Sequence, residues 1–161
     1  MIVAKFEKVS PKQFDNDLNG LDGNYEMIKI PVRATKGSAG YDFFAPIDFE
    51  IPVGESVKIP TGIKCTMEDG WVLKTYPRSG QGFKYGVHLA NSVGIIDSDY
   101  YYSDNEGHIF IKLVNDSSLA KQIDIKKKQA FCQGIFIPFG VTVDDNAKDI
   151  RNGGFGSTDK K

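Results

Sequence analysis

Ile63-Lys64-Cys65-Thr66-Met67 and Trp71-Val72-Leu73-Lys74-Thr75 decide how this chain folds. In the first, Ile63, Cys65 and Met67 stand two apart; in the second, Trp71, Leu73 and Thr75 do. A period of two sends successive side chains to opposite faces, which is the geometry of a strand and not of a helix. The pattern spreads outward. Phe49, Ile51 and Val53 repeat it, then Val57 and Ile59. Ile109, Ile111 and Leu113 alternate with His108, Phe110 and Lys112, which predicts that the latter three face outward. A last apolar run, Ile135-Phe136-Ile137, stops at Pro138.

Seventeen glycines and seven prolines punctuate these segments, as a domain of many short strands requires. Helical periodicity is scarce. One short helix is expected from Ser10-Pro11, a cap followed by proline at the first helical position, to about Asp17. Asn19–Asn24 reads as a loop. The expected fold class is all-β, a jelly roll or distorted β-barrel with short hairpins. Its domain spans 1–148, and 149–161 reads as a flexible C-terminal arm, polar and glycine-rich with little to bury.

The 161 residues suit one domain with its own core. A net charge of −1 argues against a surface for a long nucleic-acid backbone, so no direct nucleic-acid binding is expected. A small anion remains compatible, because a few local donors hold one. Cys65 and Cys132 form no CxxC pair and read as reduced core thiols. The first residues hold an early charge and no long apolar run, so neither a signal peptide nor a membrane span is expected, and the chain reads as cytoplasmic.

Five segments carry chemistry. Pro77-Arg78-Ser79-Gly80-Gln81-Gly82 follows a strand-like run. Backbone amides of Ser79, Gly80 and Gln81 can converge on an anion beside the Arg78 charge, though the same residues suit an ordinary polar turn equally well. Asn91-Ser92-Val93-Gly94-Ile95-Ile96-Asp97-Ser98-Asp99-Tyr100 holds two carboxylates two residues apart. One carboxylate near phosphate can orient and deprotonate water, whereas local chemistry alone favours a turn. Asp42, in Ala39-Gly40-Tyr41-Asp42-Phe43-Phe44-Ala45, needs a partner in apolar surroundings: a backbone turn, an arginine or a hydrated cation. Gln133, in Ala130-Phe131-Cys132-Gln133-Gly134-Ile135, suits a strand-pairing role and a ligand-facing role alike. Lys126-Lys127-Lys128 reads as a solvated loop. Arg151-Asn152-Gly153-Gly154-Phe155-Gly156-Ser157-Thr158 sets one aromatic between glycines, an arginine before it and two hydroxyls after. A closing arm explains that composition better than a plain solvated tail.

Taken in chain order, from about Ile30 to Thr158, the five segments resemble the five motifs of the trimeric dUTP diphosphatase family. The resemblance implies hydrolysis of dUTP to dUMP and pyrophosphate, with Mg²⁺ as cofactor and a homotrimer whose sites each draw on three subunits. It implies Asp97 as the residue that orients the attacking water. Arg78, Ser79, Gly80 and Gln133 would bind phosphate, and Asn91 the uracil. Tyr100 would pack on the deoxyribose and exclude a 2′-hydroxyl. Phe155 would stack on the base while Arg151, Gly156, Ser157 and Thr158, on a neighbour's arm, close over the outer phosphates. Asp42 would act on the metal indirectly, through water.

The chain departs from the family pattern at Tyr101-Tyr102-Ser103-Asp104-Asn105-Glu106, a hairpin about four residues longer than usual, and at Ala130, where a basic residue is common. Arg151 also stands one residue closer to the glycine pair than in many members. A deaminase of dCTP on the same fold would require a glutamate beside the base pocket, which the matching region lacks. A nucleotide-gated module controlling a protein partner is the alternative of another class, with Tyr101–Glu106 as its surface.

Overall fold

The computed structural model describes residues 1–116, 121–149, 151 and 153. Phe155, Gly156, Ser157 and Thr158, which the motif comparison assigns to the substrate, lie outside the described residues.

Twelve strands are described, and every pairing among them is antiparallel. Strand β1 (Ala4–Lys8) pairs with β6 (Ile63–Met67). Strand β10 (Phe110–Asn115) lies between β5 (Ser56–Pro60) and β8 (Val87–Leu89). Strand β11 (Ile123–Ile125) pairs with β4 (Phe49–Ile51). The largest sheet runs β2 (Val32–Arg33), β3 (Tyr41–Phe44), β12 (Ala130–Pro138), β7 (Trp71–Pro77), β9 (Gly94–Ile96). This is the expected all-β class. The expected short hairpins are mostly absent among the described pairings: only β2 and β3 are both sequence neighbours and partners. Local patterning reveals a strand but not its partner, and here the partners stand far apart in the chain.

One hydrophobic cluster gathers side chains from both larger sheets, including Phe43, Leu73, Leu113 and Phe131, each at most 1% exposed. Cys65 and Cys132 are free and buried, and burial pushes both thiols up to about 12. They are inert packing groups, as expected.

The expected helix is present as α1 (Pro11–Leu18). The Ser10 hydroxyl accepts from the Gln13 N–H at 3.1 Å, satisfying one orphan donor of the first turn. Asn19, in the left-handed region at φ 47°, ends it. Phe14 and Leu18, one turn apart, dock the helix on the core. Burying the Phe14 ring contributes about 1.5–3 kcal/mol.

His108 corrects the period-two reading. It stands just before β10 and is fully buried instead of facing solvent. Its Nε2 accepts from the Gly62 N–H at 2.7 Å. The proton therefore sits on Nδ1, which donates to Asp17 Oδ2 at 2.5 Å. Two backbone-distant anchors thus hold one imidazole, and they tie α1 to the connection preceding β6.

Burial holds the His108 pKa below its ordinary value, against the opposing pull of Asp17 and Glu106. The folded chain therefore keeps this ring neutral where the unfolded chain binds a proton. Its contribution to stability is complete above about pH 6.5 and is lost as pH falls toward the depressed folded value. Urea midpoints at pH 7.5 and 5.5 should fall further for the natural chain than for His108→Gln. Equal losses would contradict this linkage.

Candidate functional site

The turn from β8 to β9 builds the first half of the site. These strands belong to different sheets, so Ala90–Val93 crosses between sheets instead of closing a paired hairpin. Ser92 takes φ 62°, and the Ser92 N–H donates to Leu89 O at 2.9 Å. Gly94 is required for close approach: a Cβ there would stand 2.1 Å from Thr75 Oγ1 on the neighbouring strand. Thr75, itself 1% exposed, thus sits directly beneath the turn, a role its place in the alternation did not reveal.

A cavity of about 550 Å³ opens beside this turn, with Thr75, Asn91, Gly94, Asp97, Tyr100 and Arg151 in its wall. Four of the residues singled out from sequence therefore meet here: Asn91, Asp97, Tyr100 and Arg151. Asp97 follows β9 and precedes a 3₁₀ turn, Ser98–Tyr102. Arg151 reaches it from the same chain: Nη2 donates to Asp97 Oδ2 at 2.5 Å, and Nε to Asp99 Oδ1 at 2.8 Å. One guanidinium spans both carboxylates, the planar two-donor geometry that arginine supplies and lysine does not.

Tyr100 is 5% exposed. Its hydroxyl donates to His108 O at 2.7 Å and accepts from Asn105 Nδ2 at 2.8 Å. Burial raises its pKa, so the phenol stays neutral. The segment read as a longer hairpin is a 3₁₀ turn followed by a tight bend, and its strands β9 and β10 lie in different sheets. Much of this segment is committed to its own chain. Tyr101 donates to Glu7 at 3.2 Å, and Glu106 accepts from Ser10 N at 2.8 Å and Ser10 Oγ at 2.6 Å.

The second half lies at the other side of the large sheet. Asp42 in β3 has an arginine as its partner: Arg78 Nε stands 3.1 Å from Asp42 Oδ1. Arg78 Nη1 also donates to the carbonyl of Ala130 at 3.3 Å, so the position lacking a basic side chain contributes its backbone. Gln133, opposite Asp42 in the β3–β12 register, donates from Nε2 to Pro77 O at 3.1 Å. Gly40 makes room for it, since a Cβ there would lie 2.8 Å from Gln133 Oε1.

Ser79 and Gly80 do not form a bare turn. They open a seven-residue helix, α2 (Ser79–Tyr85), capped by Arg78 without a side-chain bond. Both are exposed, and as the first helical residues their N–H groups have no intrahelical acceptor. Gln81 and Gly82 donate instead to Arg78 O, each at 3.0 Å.

The two halves do not meet within one chain. None of Asp42, Arg78, Ser79, Gly80 or Gln133 lines the cavity. Asp42 and Gln133 stand level with Tyr76 across the sheet, and Ile96 stands level with Leu73, so Asp97 lies three strands and four residues from Asp42. Spacings of about 4.8 Å across strands and about 3.3 Å along them put the two carboxylates roughly 20 Å apart.

Sequence reasoning did not find Asn105, nor the buried pair His108 and Asp17. The only sequence signal was a polar group, Asn105-Glu106-Gly107-His108, directly ahead of an apolar strand.

Comparison with known proteins gives this geometry its context. A family model described as dUTPase matches residues 26–159. A deoxyuridine 5′-triphosphate nucleotidohydrolase of Lactococcus lactis subsp. lactis is 46% identical over 134 residues, covering 81% of this chain and 88% of that protein. The crystal structure of a dUTPase from Streptococcus mutans superposes with a TM-score of 0.68 at 36% identity, covering 85% of this chain and 97% of that one. A solved mutant dUTPase from phage phi11 of S. aureus, described as coordinating a structural Mg(II) ion, shares the fold with a TM-score of 0.67 at 16% identity, covering 92% and 98%. Two half-sites on an antiparallel β scaffold, with a family match over most of the sequence, lead to one conclusion: the chain belongs to the dUTPase family and hydrolyses dUTP.

Proposed function

We propose that the Asn91–Tyr100 cavity receives the deoxyuridine of dUTP, and that the Arg78-Ser79-Gly80 cluster of a neighbouring subunit receives its phosphates. The observation that carries this reading is the separation of the halves. Roughly 20 Å between Asp97 and Asp42 is too far for both to serve one α-phosphorus. A homotrimer that abuts the two halves completes the site.

In this reading Asn91 meets the uracil at the open turn, and the Tyr100 ring lies against the sugar. Asp97 orients a water and takes its proton as the oxygen bonds to the α-phosphorus. The bond from that phosphorus to the bridging oxygen breaks, and pyrophosphate leaves. The Ser79 and Gly80 amides, with Arg78, offset the charge developing on the phosphate oxygens. Gln133 adds a donor beside them. A triphosphate competes with Asp97 as a bidentate partner for the guanidinium, so Arg151, on leaving its own chain's Asp97 for the phosphates at a neighbour's site, frees that base to act. Phe155, Gly156, Ser157 and Thr158 are proposed to close over base and outer phosphates, excluding water.

The residues present fit Mg²⁺ carried in on the nucleotide. Among the described residues no group of three or more acidic, histidine or cysteine side chains is placed to hold a metal. Asp42 stands beside the phosphate cluster, paired with Arg78, and a magnesium ion held mainly by phosphates and waters needs only one or two carboxylates. Bound there, the ion would neutralise charge on the triphosphate. Among the described residues no helix is long and apolar enough to cross a membrane.

A second reading rests on Arg151, whose described contacts with Asp97 and Asp99 lie within one chain. On that basis each subunit supplies its own arm to its own cavity.

Asp97→Asn should retain nucleotide binding and lose roughly 10²- to 10⁴-fold in turnover, measured as pyrophosphate release from dUTP with Mg²⁺. Turnover within a factor of three of the natural chain would remove Asp97 from the role of base.

Deleting residues 150–161 should leave the melting temperature nearly unchanged, because the deleted segment holds few apolar groups. Activity should fall steeply. Mixing this truncated chain with full-length Asp97→Asn under subunit exchange then assigns the arm. Recovered activity means that arms serve neighbouring subunits; exchange verified by mass without recovery means that each subunit uses its own.

A further inference from the structure

Tyr100 lines the cavity, and its hydroxyl is bonded into the bend that follows. The hydroxyl hydrogen is spent on His108 O at 2.7 Å. The oxygen accepts from Asn105 Nδ2 at 2.8 Å, and the same nitrogen lies 3.4 Å from His108 O. The other end of the carboxamide is also used: Asn105 Oδ1 accepts from the Gly107 N–H at 3.2 Å. Both ends of Asn105 are therefore specified, and a flipped amide would lose bonds at each.

The bend holding Asn105 is itself fixed. Gly107 takes φ 69°, and a Cβ there would lie 2.6 Å from Tyr101 Cα, so only glycine fits. Glu106 takes φ 58°, a costly conformation for a residue with a side chain, and its carboxylate accepts two bonds from Ser10. Lys64 stands 3.8 Å from the same carboxylate. Ser10 caps α1, whose Asp17 holds His108. Helix α1 thus grips the bend at Glu106 and at His108, and Asn105 directly precedes these two points.

We propose that Asn105 is a positioning residue for substrate selection: it locks the Tyr100 ring at the depth that accepts a 2′-deoxyribose and rejects a ribose. This rests on the reading of Tyr100 as the wall of the sugar site. A ring held by a hydroxyl with two partners cannot tilt to admit the extra oxygen atom. Released at one of them, it gains that freedom while Asp97 and the phosphate donors stay in place. The loss should therefore fall on discrimination and on KM, with kcat largely retained.

The test compares kcat/KM for dUTP and UTP in full-length Asn105→Ala, Tyr100→Phe, Tyr100→Ala and the double variant Asn105→Ala with Tyr100→Phe. Asn105→Ala should lower the dUTP/UTP ratio by about threefold to tenfold, the range that one neutral hydrogen bond supplies. Its KM for dUTP should rise, and its kcat should stay within about twofold of the natural value. In the Tyr100→Phe background the same change should have no further effect, because the hydroxyl it acts through is gone. Asn105→Asp keeps the acceptor for Gly107 and removes the donor to Tyr100, so it should reproduce the loss even if the alanine variant folds poorly. If Tyr100→Ala shifts the ratio while Asn105→Ala and Asn105→Asp leave it unchanged, the positioning role is wrong and the sugar wall stands. Additive effects in the double variant overturn the role as well. An unchanged ratio in Tyr100→Ala removes the sugar wall and the proposal together.

Discussion

Strand β12 is paired on both sides, with β3 along one edge and β7 along the other, and the positions of the charged groups follow from this. Strands three places apart in one sheet cannot approach one another, because the hydrogen-bond ladder sets their spacing. The double pairing therefore puts Asp42 and Gln133 beside the start of α2 and leaves Asp97 beyond the far edge. A chain that keeps its own sheet intact cannot bring Asp42 and Asp97 to one phosphorus atom. The proposed completion by a neighbouring subunit is the remedy such a scaffold invites.

Within each half, charges are held in pairs. Arg78 stands against Asp42, and Arg151 against Asp97 and Asp99. These contacts are partly exposed, so their value lies less in stability than in readiness. In the proposed function each guanidinium stands near the arriving phosphates, and its pairing keeps the carboxylate from repelling them. The balance also explains how a chain of net charge −1 binds a polyanion. In the proposed function, local donors at the head of α2 and the paired arginines take the place of a basic surface.

The alternation in Ile63–Met67 and Trp71–Thr75 was a reliable sign of strands because burial on one face demands it. The Ser10-Pro11 start of α1 was legible for a similar reason, since capping is satisfied within four residues. His108 was not legible. Its place opposite Ile109 in the alternation predicts exposure, yet Asp17 and Gly62, both distant in sequence, provide the bonds that let it be buried. The bend at Asn105 was equally hidden. Its spacing suggests a longer loop, and only the folded chain brings Ser10 under Glu106.

The sequence by itself determined the strand-rich class, the caps and breaks between segments, and the resemblance that names the family. Those features depend on neighbours a few residues apart, where side-chain direction and turn geometry are local properties. Tertiary structure alone decided which strands pair, that β8 and β9 part into different sheets, and that Asp42 is neutralised by Arg78 and not by a turn. It also decided that Tyr100 is braced by Asn105 and His108. Each of these is a hydrogen bond or ion pair between groups whose approach is set by the closure of the whole core. The pairing of Asp42 with Arg78 spans 36 residues, and the Tyr100 brace, though only five and eight residues long, takes its shape from a bend that Ser10 and Asp17 hold from far along the chain.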